Sequence, residues 1–237
     1  MKTIVAGCVL ALLVAACAPM SVDPGQMQAV KRIAVFSTLG DRFTIKKIGI
    51  TVFQNEQKEM PIQSWRIDDF VVGKVRSVLN GRFELRPAAF QRSAFAAARD
   101  ASQIAAAVRA QATARDVDAY IIVTAASSRF GDSNQILDGL GILQTSNLIA
   151  TNAYVYALYW FTVIDGHNFS VVAGTSAYAL GENLLTMKAI RGPSREVAPS
   201  WIPQTLDAGQ NQRLKTVVTE LLDQNLAGTV QNLKLLQ

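Results

Sequence analysis

The chain has very few of the residues that most often carry chemistry. Its 237 residues include two cysteines and one histidine, and both cysteines, Cys8 and Cys17, fall at the very start. From Ala18 onward there is no thiol, so no disulfide, thiolate metal site or cysteine nucleophile is available. With His167 alone, a cluster of imidazole ligands is ruled out, and no Asp-rich loop offers a calcium site. Charge is sparse as well, at 17% against 50% hydrophobic residues. The net charge is +5, or +4 without Lys2. Its basic residues are scattered rather than interleaved with aromatics on one strand, which disfavours a nucleic-acid partner. They read as a solvated basic surface with at most a weak attraction to anionic lipid or envelope polymer. A domain without disulfides is held by its core alone, and about 220 residues suffice for one good-sized core.

What is present is concentrated at the amino terminus. Lys2 supplies a positive charge, Ile4 to Leu13 an apolar run, and Val14-Ala15-Ala16-Cys17 closes it. The run is too short for a transmembrane helix and reads as a secretory signal, residues 1–16, excluded from fold reasoning. The Val14-Ala15-Ala16-Cys17 string resembles the lipobox of bacterial lipoproteins. The resemblance implies cleavage before Cys17, acylation of its sulfur and new amino group, and a periplasmic domain tethered to a membrane. Ala18 rather than Asp follows the cysteine, which in Gram-negative families implies the outer membrane. An ordinary signal cleaved after Ala16 is the competing reading. Residues 17–30, with Pro, Ser and Gly, read as a flexible tether, and 31–237 as one periplasmic domain.

Within that domain the patterning predicts a mixed α/β fold with a central mixed sheet, flanking helices, a late β-hairpin and a carboxy-terminal helix. Arg32 to Thr38 reads as a buried strand, Phe43 to Phe53 as a second, and Asn55 to Glu59 as a polar turn. Ile67, Phe70, Val71, Val75, Val78 and Leu79 fall at helical spacing, opened by Asp68-Asp69 and closed by Asn80-Gly81. Phe83 to Arg86 is a short strand. Ser93 to Arg115 is alanine-rich and helical with a break near Asp100, and Ala119 to Ala126 is a strand buried on both faces. Ala153 to Ile164 is the longest strand, turning at Asp165–Asn168 into its partner, Phe169 to Leu180. A helix from about Asn211 closes the chain, with a kink expected at Gly228. Residues 127–152 and 182–212 fit no element, apart from a short helix capped by Ser133, and long irregular segments are often functional. Both are nominated as partner contacts. This order of elements resembles the α/β fold of the curli secretion channel family and the TolB amino-terminal domain, a resemblance that implies work by protein–protein contact.

Catalytic candidates are few. Gly131-Asp132-Ser133 resembles the block of SGNH esterases in which Ser is the nucleophile, and the base would have to be His167 with Asp165 nearby. Against this, the family's block opens its domain and its late Asp-x-x-His is one residue longer than Asp165-Gly166-His167. The tripeptide reads better as a loop and helix cap. Gly139 and Gly141 lack the third glycine and the lysine of a phosphate loop. Asp68-Asp69 is explained by a helix start, Glu56 and Glu59 by a solvated turn, so no acid–base pair is nominated. The aromatics Tyr154, Tyr156, Tyr159, Trp160 and Phe161 read as core. The sequence therefore points to a non-enzymatic, lipid-anchored adaptor without cofactor or metal. The alternatives are an esterase using Ser133 and His167, or a lipid- or glycan-binding module with an open pocket beside Tyr156 and Trp160.

Overall fold

The computed structural model describes residues 29–112, 116–131, 133–177, 190–233 and 235. The signal run, Cys17, the tether up to residue 28, Asp132 and residues 178–189 lie outside them. The domain opens with β1 (Arg32–Ser37), β2 (Arg42–Ile48) and β3 (Glu56–Pro61). Helix α1 (Ile67–Leu79) follows, then β4 (Glu84–Arg86), α2 (Ala101–Gln111) and β5 (Ala119–Ala125). Seven short strands come next: β6 (Ser127–Arg129), β7 (Ile136–Asp138), β8 (Leu140–Ser146), β9 (Thr151–Ala157), β10 (Tyr159–Asp165), β11 (Val171–Ser176) and β12 (Ser194–Val197). Helix α3 (Gln212–Asn232) closes the fold, uninterrupted at Gly228.

These strands build two five-stranded mixed sheets, ordered β11-β10-β5-β1-β4 and β12-β9-β8-β2-β3, together with the small β6-β7 pair. The expected α/β class, late hairpin and closing helix are present, with two large sheets in place of one. The principal core lies against one face of both. Along β5, Ala119, Ile121 and Val123 enter it, and along β9 and β10 Val155, Ala157, Tyr159, Phe161 and Val163 do so. Helix α1 contributes Ile67, Val71, Val75 and Leu79, and α3 contributes Leu214, Val218, Leu222 and Leu226. Alternation in β5 sends Tyr120 and Ile122 to the opposite face, where Ile104 and Val108 of α2 cover them. Helix α2 begins where Asp100 caps it, its carboxylate accepting from Gln103 N–H at 2.9 Å.

The run read as one long strand is divided. Residues 151–157 pair in one sheet and 159–165 in the other, with the change at Leu158. Two further strands bend in the same place, β5–β6 at Ala126 and β7–β8 at Gly139. The three bends bond to one another in a closed ring: Ala126 N–H donates to Leu158 O at 3.1 Å, Leu158 N–H to Gly139 O at 2.8 Å, and Gly139 N–H to Ala126 O at 2.9 Å. Buried backbone groups must find partners, and the ring supplies them where the ladders part. Gly139 holds its bend with φ of +56°, a left-handed conformation open chiefly to glycine. Residues 127–152, expected to be irregular, are thus ordered as β6, β7, β8 and the start of β9. Ser133 caps no helix there.

Two smaller readings are also corrected. Residues 56–61 form the edge strand β3, not a turn; only Met60 is buried, so no apolar alternation marks it. Its charges pair locally, Lys47 with Glu56 and Lys58 with Glu56, as suits an exposed edge. Residues 190–212 carry β12 and short 3₁₀ turns at Pro199–Trp201 and Ala208–Asn211. Asp68, read as a helix-start residue, also ties the β1–β2 crossover to α1. It accepts from Ser37 Oγ at 2.7 Å and Gly40 N–H at 2.9 Å and pairs with Arg92.

Far from the ring, Asp118 fastens the start of β1 to the start of β5. Its carboxylate accepts from Lys31 N–H at 3.0 Å, Arg32 N–H at 2.9 Å and the Arg32 guanidinium at 2.8 Å. The guanidinium, with those backbone donors, holds the carboxyl well below the ordinary carboxylate range against the opposing effect of burial. A carboxylate depressed in this way stabilises the fold above its unfolded value near pH ~4 and loses that contribution as pH falls toward the folded value. Asp118→Asn should lower stability by about 1–2 kcal/mol near neutral pH. In urea titrations the deficit should shrink at about pH 3, because the wild-type carboxylate is by then losing its own contribution. A deficit independent of pH would contradict this account.

Glycines give a second test. A Cβ on Gly141 would lie 2.3 Å from Tyr156 Oη and 2.5 Å from Thr44 O, whereas one on Gly73, exposed in α1, would meet nothing within 4 Å. Gly141→Ala should cost about 1–3 kcal/mol through overpacking. Gly73→Ala should add about 0.5–1 kcal/mol through helix propensity. Thermal denaturation of both variants reads the two signs.

Candidate functional site

The esterase candidates are separated by the topology. His167 and Asp165 share the turn after β10, and Asp165 pairs in register with Ala119 at the amino-terminal end of β5. Ser133 lies on the hairpin beyond the carboxy-terminal end of β5. Seven residues at about 3.3 Å each put those two ends roughly 20 Å apart, so hydroxyl and imidazole do not meet. Each is used where it stands. Ser133 Oγ donates to Phe130 O at 2.5 Å and accepts from Gln135 N–H at 3.2 Å, closing the β6–β7 turn. Asp165 accepts from the His167 and Asn168 N–H groups at 2.8 and 2.9 Å, while His167 Nε2 lies 3.6 Å from Asp118. A carboxylate engaged by turn amides and an exposed imidazole beside an ion pair make a structural turn. Among the described residues no three of His, Cys, Asp and Glu converge as metal ligands.

The aromatic strand is largely packed, with Tyr154 and Trp160 half-buried. Tyr156, Tyr159 and Phe161 are fully buried, Tyr156 under Leu137, Leu143, Leu158 and Ile190. Trp160 lies over Gly174, where a Cβ would come within 2.9 Å of its ring. Beside the hydrogen-bond ring a cleft of about 230 Å³ is lined by Ser127, Arg129, Leu158, Tyr159, Ser176 and Arg191, among others. It is smaller than the ~300 Å³ at which small-molecule pockets usually begin, and its arginines face solvent.

The most unusual surface is at one end of the second sheet. Ile48 of β2 pairs with Thr145 of β8, so the β2–β3 loop and the β8–β9 turn emerge side by side. The first exposes Ile50 (55%) and Phe53 (96%), and the second Leu148 (89%) and Ile149 (95%). The second tip falls within the nominated segment 127–152. The first lies where the sequence predicts a strand running to Phe53. The missed signal was composition: Ile48 to Asn55 carries no charge, and neither does any residue from Leu140 to Ile164. No helix among the described residues is long and apolar enough to cross a membrane.

No protein-family model matches this chain, and no curated protein matches it. Solved structures resemble it only loosely. A PelC dodecamer subunit from Paraburkholderia phytofirmans aligns at 10% identity over 92% of this chain and 94% of its own, with a TM-score of 0.31. A putative neuraminyllactose-binding hemagglutinin homolog from Helicobacter pylori aligns at 8% identity over 94% and 88%, with a TM-score of 0.37. The lipoprotein GNA1162 from Neisseria meningitidis aligns at 12% identity over 80% and 96%, with a TM-score of 0.29. At such scores the likenesses carry no functional assignment, and the chain's own residues have to supply one.

Proposed function

We propose that this chain is a periplasmic lipoprotein, anchored through acylated Cys17 to the outer membrane, that works without catalysis as an adaptor or regulatory component of an envelope assembly. The observation that carries this is the amino-terminal sequence: a basic residue, a short apolar run and Val14-Ala15-Ala16-Cys17, with Ala18 following. Acyl chains supply the membrane attachment that no described helix is built to give, each buried methylene adding about 0.8 kcal/mol and two chains holding stably where one is marginal. The separation of Ser133 from His167 supports a role without hydrolysis.

Mass spectrometry of the purified native protein tests the anchor. The expected amino terminus is Cys17 carrying acyl chains; an unmodified terminus at any other residue would overturn the address. Cys17→Ser should abolish acylation and leave the precursor unprocessed, or release a soluble form if another peptidase accepts Ala16. Cross-linking in intact cells tests the adaptor role, with capture of a protein partner through 127–152 or 182–212 expected and capture of none counting against it.

A further inference from the structure

We propose that the two tips, Ile50–Phe53 and Leu148–Ile149, insert together into the apolar margin of a lipid bilayer, giving the domain a membrane contact of its own. The four large side chains sit on convex, adjacent projections rather than in a groove. They amount to on the order of 500 Å² of apolar surface. A symmetric contact between two copies through them would bury about 1,000 Å², below the ~1,200 Å² where stable protein pairs begin. A bilayer needs no complementary shape and accepts such projections as they are.

Several backbone donors at both tips are already paired within the tip. Gly49 N–H donates to Asn55 Oδ1 at 3.0 Å, and Ile50 and Thr51 N–H donate to Gln54 Oε1 at 3.0 and 3.3 Å. Gln54 N–H closes on Thr51 O at 3.0 Å. On the other tip Asn147 Oδ1 accepts from Ile149 and Ala150 N–H at 2.9 and 2.8 Å, and Asn147 N–H donates to Ala150 O at 3.0 Å. In hydrocarbon an unsatisfied backbone group is costly, and these side-chain carbonyls satisfy donors that water serves in an ordinary turn. The nearest charges on β2 and β3, Lys47, Glu56 and Lys58, stand just behind the tips and pair with one another, as residues at headgroup level can.

The tether fits this orientation, a step that rests on the Cys17 reading as tip insertion itself does not. Lys31 lies at the opposite end of the domain, beside Asp118. The ~15 residues from Thr151 to Asp165, at roughly 3.3 Å each and bent at Leu158, set the two ends at most about 50 Å apart. The ~14 residues between Cys17 and Lys31 extend to about the same length. An acylated Cys17 and the two tips therefore reach one bilayer surface.

The test uses the chain from Ala18 onward, which keeps every described element and lacks Cys17, co-sedimented with vesicles of phosphatidylethanolamine and phosphatidylglycerol. Partition onto vesicles is expected, weakened about tenfold by each of Phe53→Ser and Leu148→Ser. Leu206→Ser, which removes an exposed apolar residue outside the tips, ahead of α3 (47%), should leave it unchanged. Leu148→Trp should add emission that lipids brominated on their acyl chains quench. Absence of partition overturns the proposal, as does equal partition by the tip variants, or tip-dependent self-association in sedimentation velocity without vesicle binding. Because this protein carries no acyl group, its failure would leave the Cys17 assignment standing, and failure of that assignment would leave tip insertion standing.

Discussion

The ring of backbone hydrogen bonds among Ala126, Gly139 and Leu158 is the feature on which the rest of the architecture depends. Each of three extended runs passes from one sheet into another. β5 pairs with β10, β9 with β8, and β7 with β6, so the partnerships pass around the ring. At such a crossing the ladders have to part, and buried N–H and C=O groups would be stranded. Three residues, each giving one donor and one acceptor, close that gap without a side chain. Because the bends preserve alternation, odd-numbered residues from Val155 to Val163 face one core on both sides of the break, and α1 and α3 can seal both sheets together.

Much of this was legible in the sequence, and the limits have physical causes. The runs at 33–36 and 119–125, the helix from Ile67 to Leu79 and the start of α2 at Asp100 follow from periodicity and capping, which are local; the strand expected over 169–180 is found as β11, and the helix expected before Asp100 is only a 3₁₀ turn at Arg92–Phe95. The bend at Leu158 is not local. An apolar run with unbroken alternation looks the same whether its partners change midway or not, and only Ala126 and Gly139, distant in sequence, determine the change. Gly139 and Gly141 fall in the segment 127–152 that the sequence leaves irregular, and glycine usually weakens a strand. Here one supplies a left-handed bend and the other makes room for the Tyr156 ring. β3 escaped notice because an edge strand exposed on nearly every position has no apolar pattern to read.

The candidate site was less legible than the fold. Ser133, Asp165 and His167 attract attention by residue type, yet each is consumed by its own turn. The surface that stands out is made of residues that the sequence places in a strand, Ile50 and Phe53, and in the irregular segment 127–152, Leu148 and Ile149. Their exposure follows from register: Ile48 beside Thr145 brings two loops to the same end of a sheet. The resulting domain has two ends of opposite character. One is closed by the Asp118–Arg32 pair where the chain enters, and the other is uncharged and apolar.

Native-state amide exchange followed by NMR addresses the central element directly, since it resolves single backbone donors. The amides of Ala126, Gly139 and Leu158 should exchange only through global unfolding, at the rates of core amides such as Val123 and Val155. If any of the three exchanges at the rate of a surface loop while those strands stay protected, the ring does not hold the two sheets together.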